Sequence, residues 1–285
     1  MERIGFIGVG KVGTAFGTRL AEKGYPVTGA MDILPAEAER FSKAITGCKV
    51  YPTAQALADA MDFVFITTPD DVIGEVAAAL KWRVGQTVIH CSGANSTAVL
   101  APARKQGAHV GCMHPCNTFA SIQQSLENLP GSTFTLEAEE PTLTDLKNFA
   151  AALNGRWMEL REEDKALYHA AACIACNYLY TLVHLATDAW KHFDISQADA
   201  VSAMMPILKG TLNNIEHVGF PGCLTGPIAR GDVGTIAKHL AAMQEREPSL
   251  IPLYKALGRE TIPIGVAKGT LSGQKAAELR KMLSD

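Results

Sequence analysis

Apolar residues in the first 160 positions fall into short, nearly uninterrupted runs. Ile4-Gly5-Phe6-Ile7, Val27-Thr28-Gly29-Ala30-Met31, Phe63-Val64-Phe65-Ile66, Thr87-Val88-Ile89-His90 and His109-Val110-Gly111-Cys112-Met113 are such runs, with glycine, proline or polar residues close to their ends. Runs of this length without polar alternation are expected of strands buried on both faces. Between them the spacing turns helical: Ala15, Phe16, Leu20 and Ala21 share one helix face, and helices are expected from Pro35 to Ile45, Thr53 to Ala60 and Asp71 to Leu80. A short strand is expected near Val50, and strands over Ser132 to Leu136 and Arg156 to Leu160 flank a helix over Pro141 to Leu153. Such βα alternation predicts a doubly wound parallel α/β sheet. Beyond Leu160 the pattern is helical almost throughout, with Pro206, Pro221 and Pro252 marking breaks. The expected organisation is therefore an α/β domain over residues 1–160 and an all-α domain over 161–285.

The first strand runs straight into Gly8-Val9-Gly10-Lys11-Val12-Gly13 and then a helix. Gly8 permits the tight turn, Gly10 lets the backbone approach a pyrophosphate, and Gly13 allows close helix packing, while the helix N-terminus offers free N–H groups to the anion. The second strand ends at Asp32, about 20 residues further on, where an acidic side chain meets the adenosine ribose. No arginine follows at Ile33 or Leu34 to pair with a 2′-phosphate, so NAD is expected over NADP, with NADP still open. The competing role for Asp32 is a turn, or a cap for the helix that Pro35 opens. Ligands of such sheets lie beyond the carboxyl ends of strands, which brings Thr67, Thr68, Ser92 and Gly93 to the cofactor alongside Gly8, Gly10, Lys11, Val12, Gly13 and Asp32.

Composition narrows the partners. The chain has 285 residues, 26 lysines and arginines against 29 acidic residues, and a net charge of −3. With no clustered basic face, nucleic-acid binding is not expected. Hydrophobic residues make up 47%, enough for a sizeable core, and only 19% are charged. Seven cysteines, an odd number in a chain this long, suit a reducing, cytoplasmic compartment. From Ala166 to Thr187 there is no charged residue, a length that spans a bilayer. His169, Asn177, His184 and three tyrosines interrupt it, and no membrane role is expected.

At 100° per residue, Lys165, His169, Cys173, Asn177, Tyr180 and His184 share an arc of about 120° on a helix starting near Glu162. Leu167, Ile174, Tyr178, Leu182 and Leu185 lie opposite and are expected to face the core, leaving the polar arc to a cleft or a partner. Hydride transfer to a carbonyl or imine leaves developing charge on oxygen or nitrogen, so it needs a proton donor. Lys165 and His169 are the catalytic candidates, with Asn177 to orient. The alternatives are a solvated Lys165 and core polar roles for His169 and Asn177. His114, at a strand end, is expected to line the substrate cleft. Cys112, His114 and Cys116 alternate, yet paired zinc spacings are absent and no metal is expected. In Leu224-Thr225-Gly226-Pro227-Ile228-Ala229-Arg230-Gly231-Asp232, Thr225 and Arg230 are candidate substrate contacts, Arg230 as a carboxylate clamp. Against this, Thr225 and Asp232 can act as caps.

Taken together, GFIGVGKVG, TTPDD, HCSG, HP, YHAAACIACNY and LTGPIARGD resemble a family that pairs a Rossmann-like domain with a C-terminal helical domain of unknown function. More distantly the chain is similar to pyrroline-5-carboxylate reductase, ketopantoate reductase and 6-phosphogluconate dehydrogenase. The resemblance implies an NAD(P)-dependent oxidoreductase acting on a small anionic carbonyl, imine or hydroxy compound. It also implies a homodimer formed through the helical domain. In the hydroxyacid branch a catalytic lysine is followed four residues later by asparagine; here the matching pair is Lys165 and His169. That departure motivates the rival expectation of a non-catalytic dinucleotide sensor or scaffold.

Overall fold

The computed structural model describes residues 2–284. β1 (Ile4–Ile7) leads into α1 (Lys11–Glu22), β2 (Val27–Met31) into α2 (Pro35–Ala44), and β3 (Lys49–Val50) into α3 (Ala54–Ala60). β4 (Phe63–Ile66) leads into α4 (Ile73–Ala79), and β5 (Thr87–His90) precedes α5 (Ala101–Lys105). β6 (His109–Pro115), α6 (Ile122–Asn128), β7 (Thr133–Ala138), α7 (Thr142–Ala152) and β8 (Arg156–Glu159) complete the α/β part. The strands form one sheet in the order β3-β2-β1-β4-β5-β6-β7-β8. The first six are parallel in the Rossmann order, which reverses direction between β1 and β4 and opens the crevice there. One expectation needs correcting: β7 runs antiparallel to β6, with Met113 opposite Leu136, and β8 is parallel to β7. The link from β6 to β7 does not cross over the sheet as a βαβ unit must, although it carries α6.

Strand alternation builds the two core layers. Phe6 and Phe65 point to the side of α1 and α2 and stack with ring centroids 4.9 Å apart. Ile7, Val64 and Ile66 point to the other side, against Leu57 and Ile73. All are essentially inaccessible to solvent, and burying each such side chain contributes about 2–3 kcal/mol.

The chain divides into two compact units after Asn177, not at the expected 160/161 boundary. The reason is α8 (Lys165–Ala175), whose first turns pack on the ends of β5 and β6. In the second unit, α11 (Val233–Arg246), α12 (Ile251–Ala267) and α13 (Gly273–Met282) enclose a core of Ile236, Ile262, Leu271, Ala276 and Leu279. They follow α9 (Asn177–Asp188) and α10 (Gln197–Val218). The expected break at Pro206 does not occur: α10 continues through it. A proline inside a helix removes one N–H donor, which an exposed helix tolerates at a reduced stability.

Candidate functional site

The glycine loop has the geometry its spacing implies. Gly8 takes φ +85° and its N–H donates to Met31 O at 2.8 Å, fixing the turn out of β1. A Cβ on Gly13 would collide with Gly8 O and Thr67 Oγ1, so α1 can approach β4 only through a glycine. A Cβ on Gly10 would meet nothing within 4 Å, and Gly10 supplies no side-chain cap to α1. The helix N-terminus therefore presents uncapped amides beside open space, the cradle a pyrophosphate requires. Lys11 is exposed at the start of α1, whereas Val12 packs against the core. Thr67 donates its hydroxyl to Gly8 O and thereby holds the loop; Thr68 is partly exposed beside it.

Asp32 is engaged with the backbone on both oxygens. Val9 N–H donates to Oδ2 at 2.8 Å and Leu34 N–H to Oδ1 at 2.9 Å, so the carboxylate links the glycine loop to the turn before Pro35. Arg40 of α2, which the sequence reading did not single out, reaches the same loop: its Nη2 donates to Val9 O at 3.1 Å and Thr14 Oγ1 at 3.2 Å. It also pairs with Glu37.

A second cluster forms where β5, β6 and α8 meet. Buried Ser92 uses every polar group it has. Its hydroxyl donates to Asp70 at 2.6 Å, its N–H donates to His90 Nδ1 at 3.2 Å, and its carbonyl accepts from Lys165 Nζ at 3.2 Å. Lys165 is 1% exposed, and its Nζ also contacts Cys112 Sγ at 2.8 Å. An ammonium surrounded by neutral acceptors raises the positive potential around it. Burial, with Lys165 added, pushes His90 down to about 3; burial, Lys165 and His169 push His114 down to about 4. Both imidazoles are neutral near pH 7. Burial pushes the Cys112 thiol up to about 11, against the pull of Lys165.

Above these groups, two histidines face Gly93. A Cβ there would lie 2.5 Å from His169 Nδ1 and 2.8 Å from His114 Nε2, so only glycine leaves room for both rings. His114 Nδ1 is 2.9 Å from the Tyr168 hydroxyl. His169 Nδ1 is buried without a hydrogen-bond partner, an orphaned polar atom beside the ends of β5 and β6. The structure thus brings Gly93, His114, Lys165 and His169, all singled out in the sequence, together with Cys112, weighed there only as a metal ligand, and with Asp70, His90 and Tyr168, which were missed. Tyr168 was adjacent in sequence, but only the helix phase relative to β6 reveals its partner.

The expected orientation is reversed in the first turns, and the single helix expected here is broken at Cys176 into α8 and α9. Lys165 is buried, while Leu167 and Ile174 are 76% and 64% exposed, and Tyr178 is also exposed. Amphipathic spacing identifies two faces without saying which one finds partners, and here the polar face finds the strand-end carbonyl, thiol and imidazole. Lys165 is therefore not solvated, its Nζ turned to Ser92 O and Cys112 Sγ. Asn177 is exposed at the start of α9. Thr225 and Arg230 lie in the second unit, both exposed. Asp232 caps α11 through Thr235 N–H at 3.0 Å, the competing role foreseen for that segment. Among the described residues no group of three or more His, Cys, Asp or Glu is placed to hold a metal ion.

Residues 2–115 match the model of a Rossmann-like domain, and residues 132–261 match a domain of unknown function, DUF2520. The two matches together span most of the chain. Tyr168, His169 and Lys165 fall within the DUF2520 match, whereas Ser92, Cys112 and His114 fall within the Rossmann-like one, so the cluster draws on both. No curated protein is significantly similar in sequence. Solved structures share the fold. A candidate NADP oxidoreductase from Bacteroides fragilis is 21% identical, with a TM-score of 0.73 over 92% of this chain and 98% of its own. A reductive aminase from Aspergillus terreus, solved with NADPH and ethyl levulinate, is 15% identical, with a TM-score of 0.68 over 99% of each chain. The 1-pyrroline-5-carboxylate reductase of Streptococcus pyogenes is 16% identical, with a TM-score of 0.61 over 98% of each chain.

Proposed function

We propose that the protein is a nicotinamide-dependent oxidoreductase acting on a small, anionic carbonyl, imine or hydroxy compound. The observation that carries this reading is the pair of imidazoles held against Gly93, at the carboxyl end of the sheet that also carries the open glycine cradle. When bound, the nicotinamide dinucleotide supplies or accepts the hydride. The amides at the start of α1 would hold its pyrophosphate, with Gly10 giving the close approach. His169, with its orphaned Nδ1, holds or delivers the proton at the heteroatom of the reacting carbon. His114 orients that atom through Nε2. Lys165 contributes its charge from below instead of a proton, since its Nζ is bound to Ser92 O and Cys112 Sγ. Thr225 and Arg230 remain proposed substrate contacts and Asn177 a proposed orienting group.

For the cofactor, we favour NADP over the NAD expected from the sequence. Asp32 is occupied by two backbone amides, and Arg40 places a guanidinium beside the loop that would lie near a 2′-phosphate. The fold relatives from Bacteroides and Aspergillus are described with NADP or NADPH, which supports the same choice. Fluorescence titration with NADPH and NADH, then nicotinamide absorbance with a panel of ketoacids, cyclic imines and hydroxyacids, tests the whole reading. We expect binding of NADPH and turnover on one class, lost in His169→Ala. No binding of either cofactor would overturn it, and tight binding without turnover would make the protein a dinucleotide sensor.

The protein is further proposed to work as a homodimer through its helical part. Ile207 of α10 and Phe220 just beyond it are 70% and 67% exposed, and the α8 and α9 faces are similarly uncovered. The stretch Glu162–Phe193 is long and apolar enough to cross a membrane by length and composition alone. A second copy covers such a face without leaving His169, Asn177 and His184 in hydrocarbon. All seven cysteines are free thiols, which supports a cytoplasmic setting.

A further inference from the structure

The hydroxyl of Tyr168 lies 2.9 Å from His114 Nδ1, its ring edge-on to the imidazole with centroids 5.7 Å apart. The other ring nitrogen, Nε2, is the one aimed at Gly93 and the orphaned Nδ1 of His169, whose ring centroid is 5.9 Å away. One nitrogen of a neutral imidazole carries the proton, and the hydrogen bond made by the other decides which. A phenol that keeps its proton is able to donate it to an unprotonated ring nitrogen.

We propose that Tyr168 is a positioning residue that donates to His114 Nδ1 and so fixes His114 as the neutral Nε2–H tautomer, whose N–H is presented to the carbonyl oxygen or imine nitrogen of the substrate. This rests on the oxidoreductase reading and specifies the chemistry of its substrate contact: an uncharged donor polarises the heteroatom, and His169 is left to move the proton. A neutral donor suits this position because its own pKa when deprotonated is closer to that of the forming alkoxide or amide than an imidazolium's would be, as in other sites that use neutral imidazole electrophiles.

The surroundings agree. Burial and the adjacent Cys116 thiol push the Tyr168 phenol up, so it remains a donor at any physiological pH. The titratable groups facing His114 are Lys165 and His169 from α8, Tyr168 itself, Cys112 on its own strand, Cys116 just beyond it, and His90 on β5. Lys165 and His169 both disfavour an imidazolium at His114, and among the described residues no carboxylate is placed to favour one.

Long-range nitrogen–proton NMR on uniformly 15N-labelled protein reads the tautomer directly, with His114→Gln identifying the signal. In the wild type the expected pattern is an unprotonated, pyridine-type Nδ1 and a protonated Nε2, unchanged from pH 8 to pH 5.5. Tyr168→Phe should shift both nitrogens toward tautomer-averaged values and lower kcat on the order of tenfold or more, with KM within about twofold. A protonated Nδ1 in the wild type, titration near pH 6.5, or an unchanged Tyr168→Phe spectrum would each overturn the proposal. If Tyr168→Phe fails to fold, the wild-type spectrum still decides. NADPH titration of the same sample tests the oxidoreductase reading separately, so a correct tautomer without cofactor binding removes that reading and with it the substrate role, whereas binding with the wrong tautomer removes only the role of Tyr168.

Discussion

Two neutral histidines buried in one unit make its stability sensitive to mild acid. His90 is held near 3 and His114 near 4, first by burial and then by Lys165, while an unfolded histidine titrates near 6.5. Above pH 6.5 both states are neutral and the native state keeps its full stability. As pH falls below 6.5 the unfolded chain takes up protons that the native chain refuses, so stability declines down to the folded values. Between pH 7 and pH 5 each histidine should remove about 2 kcal/mol, about 4 kcal/mol together. Asp62, Asp232 and Glu247 have lowered pKa values, so their loss begins only as pH falls through the unfolded carboxylate range near 4 and leaves this window clear. Urea unfolding at pH 7, 6 and 5 measures the effect at Trp82, which is buried in the same unit, in a background with Trp157→Phe and Trp190→Phe. His90→Asn should roughly halve the pH 7 to 5 difference. A wild-type loss below about 1 kcal/mol would refute the account, since it would mean the native histidines can protonate where they lie.

Four further outcomes follow from the structure. Gly10→Ala should fold normally, because a Cβ there meets nothing within 4 Å, yet weaken NADPH binding on the order of tenfold by titration. Gly13→Ala should instead lower the melting temperature markedly, because the added carbon lands on Gly8 O and Thr67 Oγ1. Arg40→Ala should raise the Kd for NADPH on the order of tenfold and leave that for NADH within about twofold, and equal loss for both would remove the 2′-phosphate role. Light scattering should give a dimer for the wild type and a monomer for Ile207→Asp, whose parent side chain is 70% exposed; a monomeric wild type would refute the dimer.

The parts legible in the sequence are those fixed by local rules. The glycine loop, the central strands and the helix starts come from backbone conformation and short-range periodicity, and Gly8 and Gly13 take the turn and the close packing their spacing implies. Thr53 and Asp232 similarly cap α3 and α11 through nearby amides. What was misread depended on contacts between distant segments. The direction of β7 is set by pairing with β6, which no periodicity within β7 encodes. Arg40 lies near Val9 only because α2 packs beside the first loop, so a search for arginine directly after Asp32 misses it.

The helix at Lys165 shows the limit most clearly. Its spacing correctly separated a polar arc from an apolar one, and burial was then assigned by polarity alone. A charged side chain becomes buried where the fold brings acceptors to it, and the ends of β5 and β6 bring Ser92 O and Cys112 Sγ to Lys165 Nζ. The same packing turns Leu167 and Ile174 outward, to 76% and 64% exposure. Burial of the lysine and exposure of the leucine are thus one event, and they tie the proposed site to the proposed dimer: a helix that spends its polar face on the strand-end cluster leaves its apolar face uncovered, where a second copy would dock. A monomeric protein with an intact cluster would break that link, because those apolar side chains would then have no partner to justify their exposure.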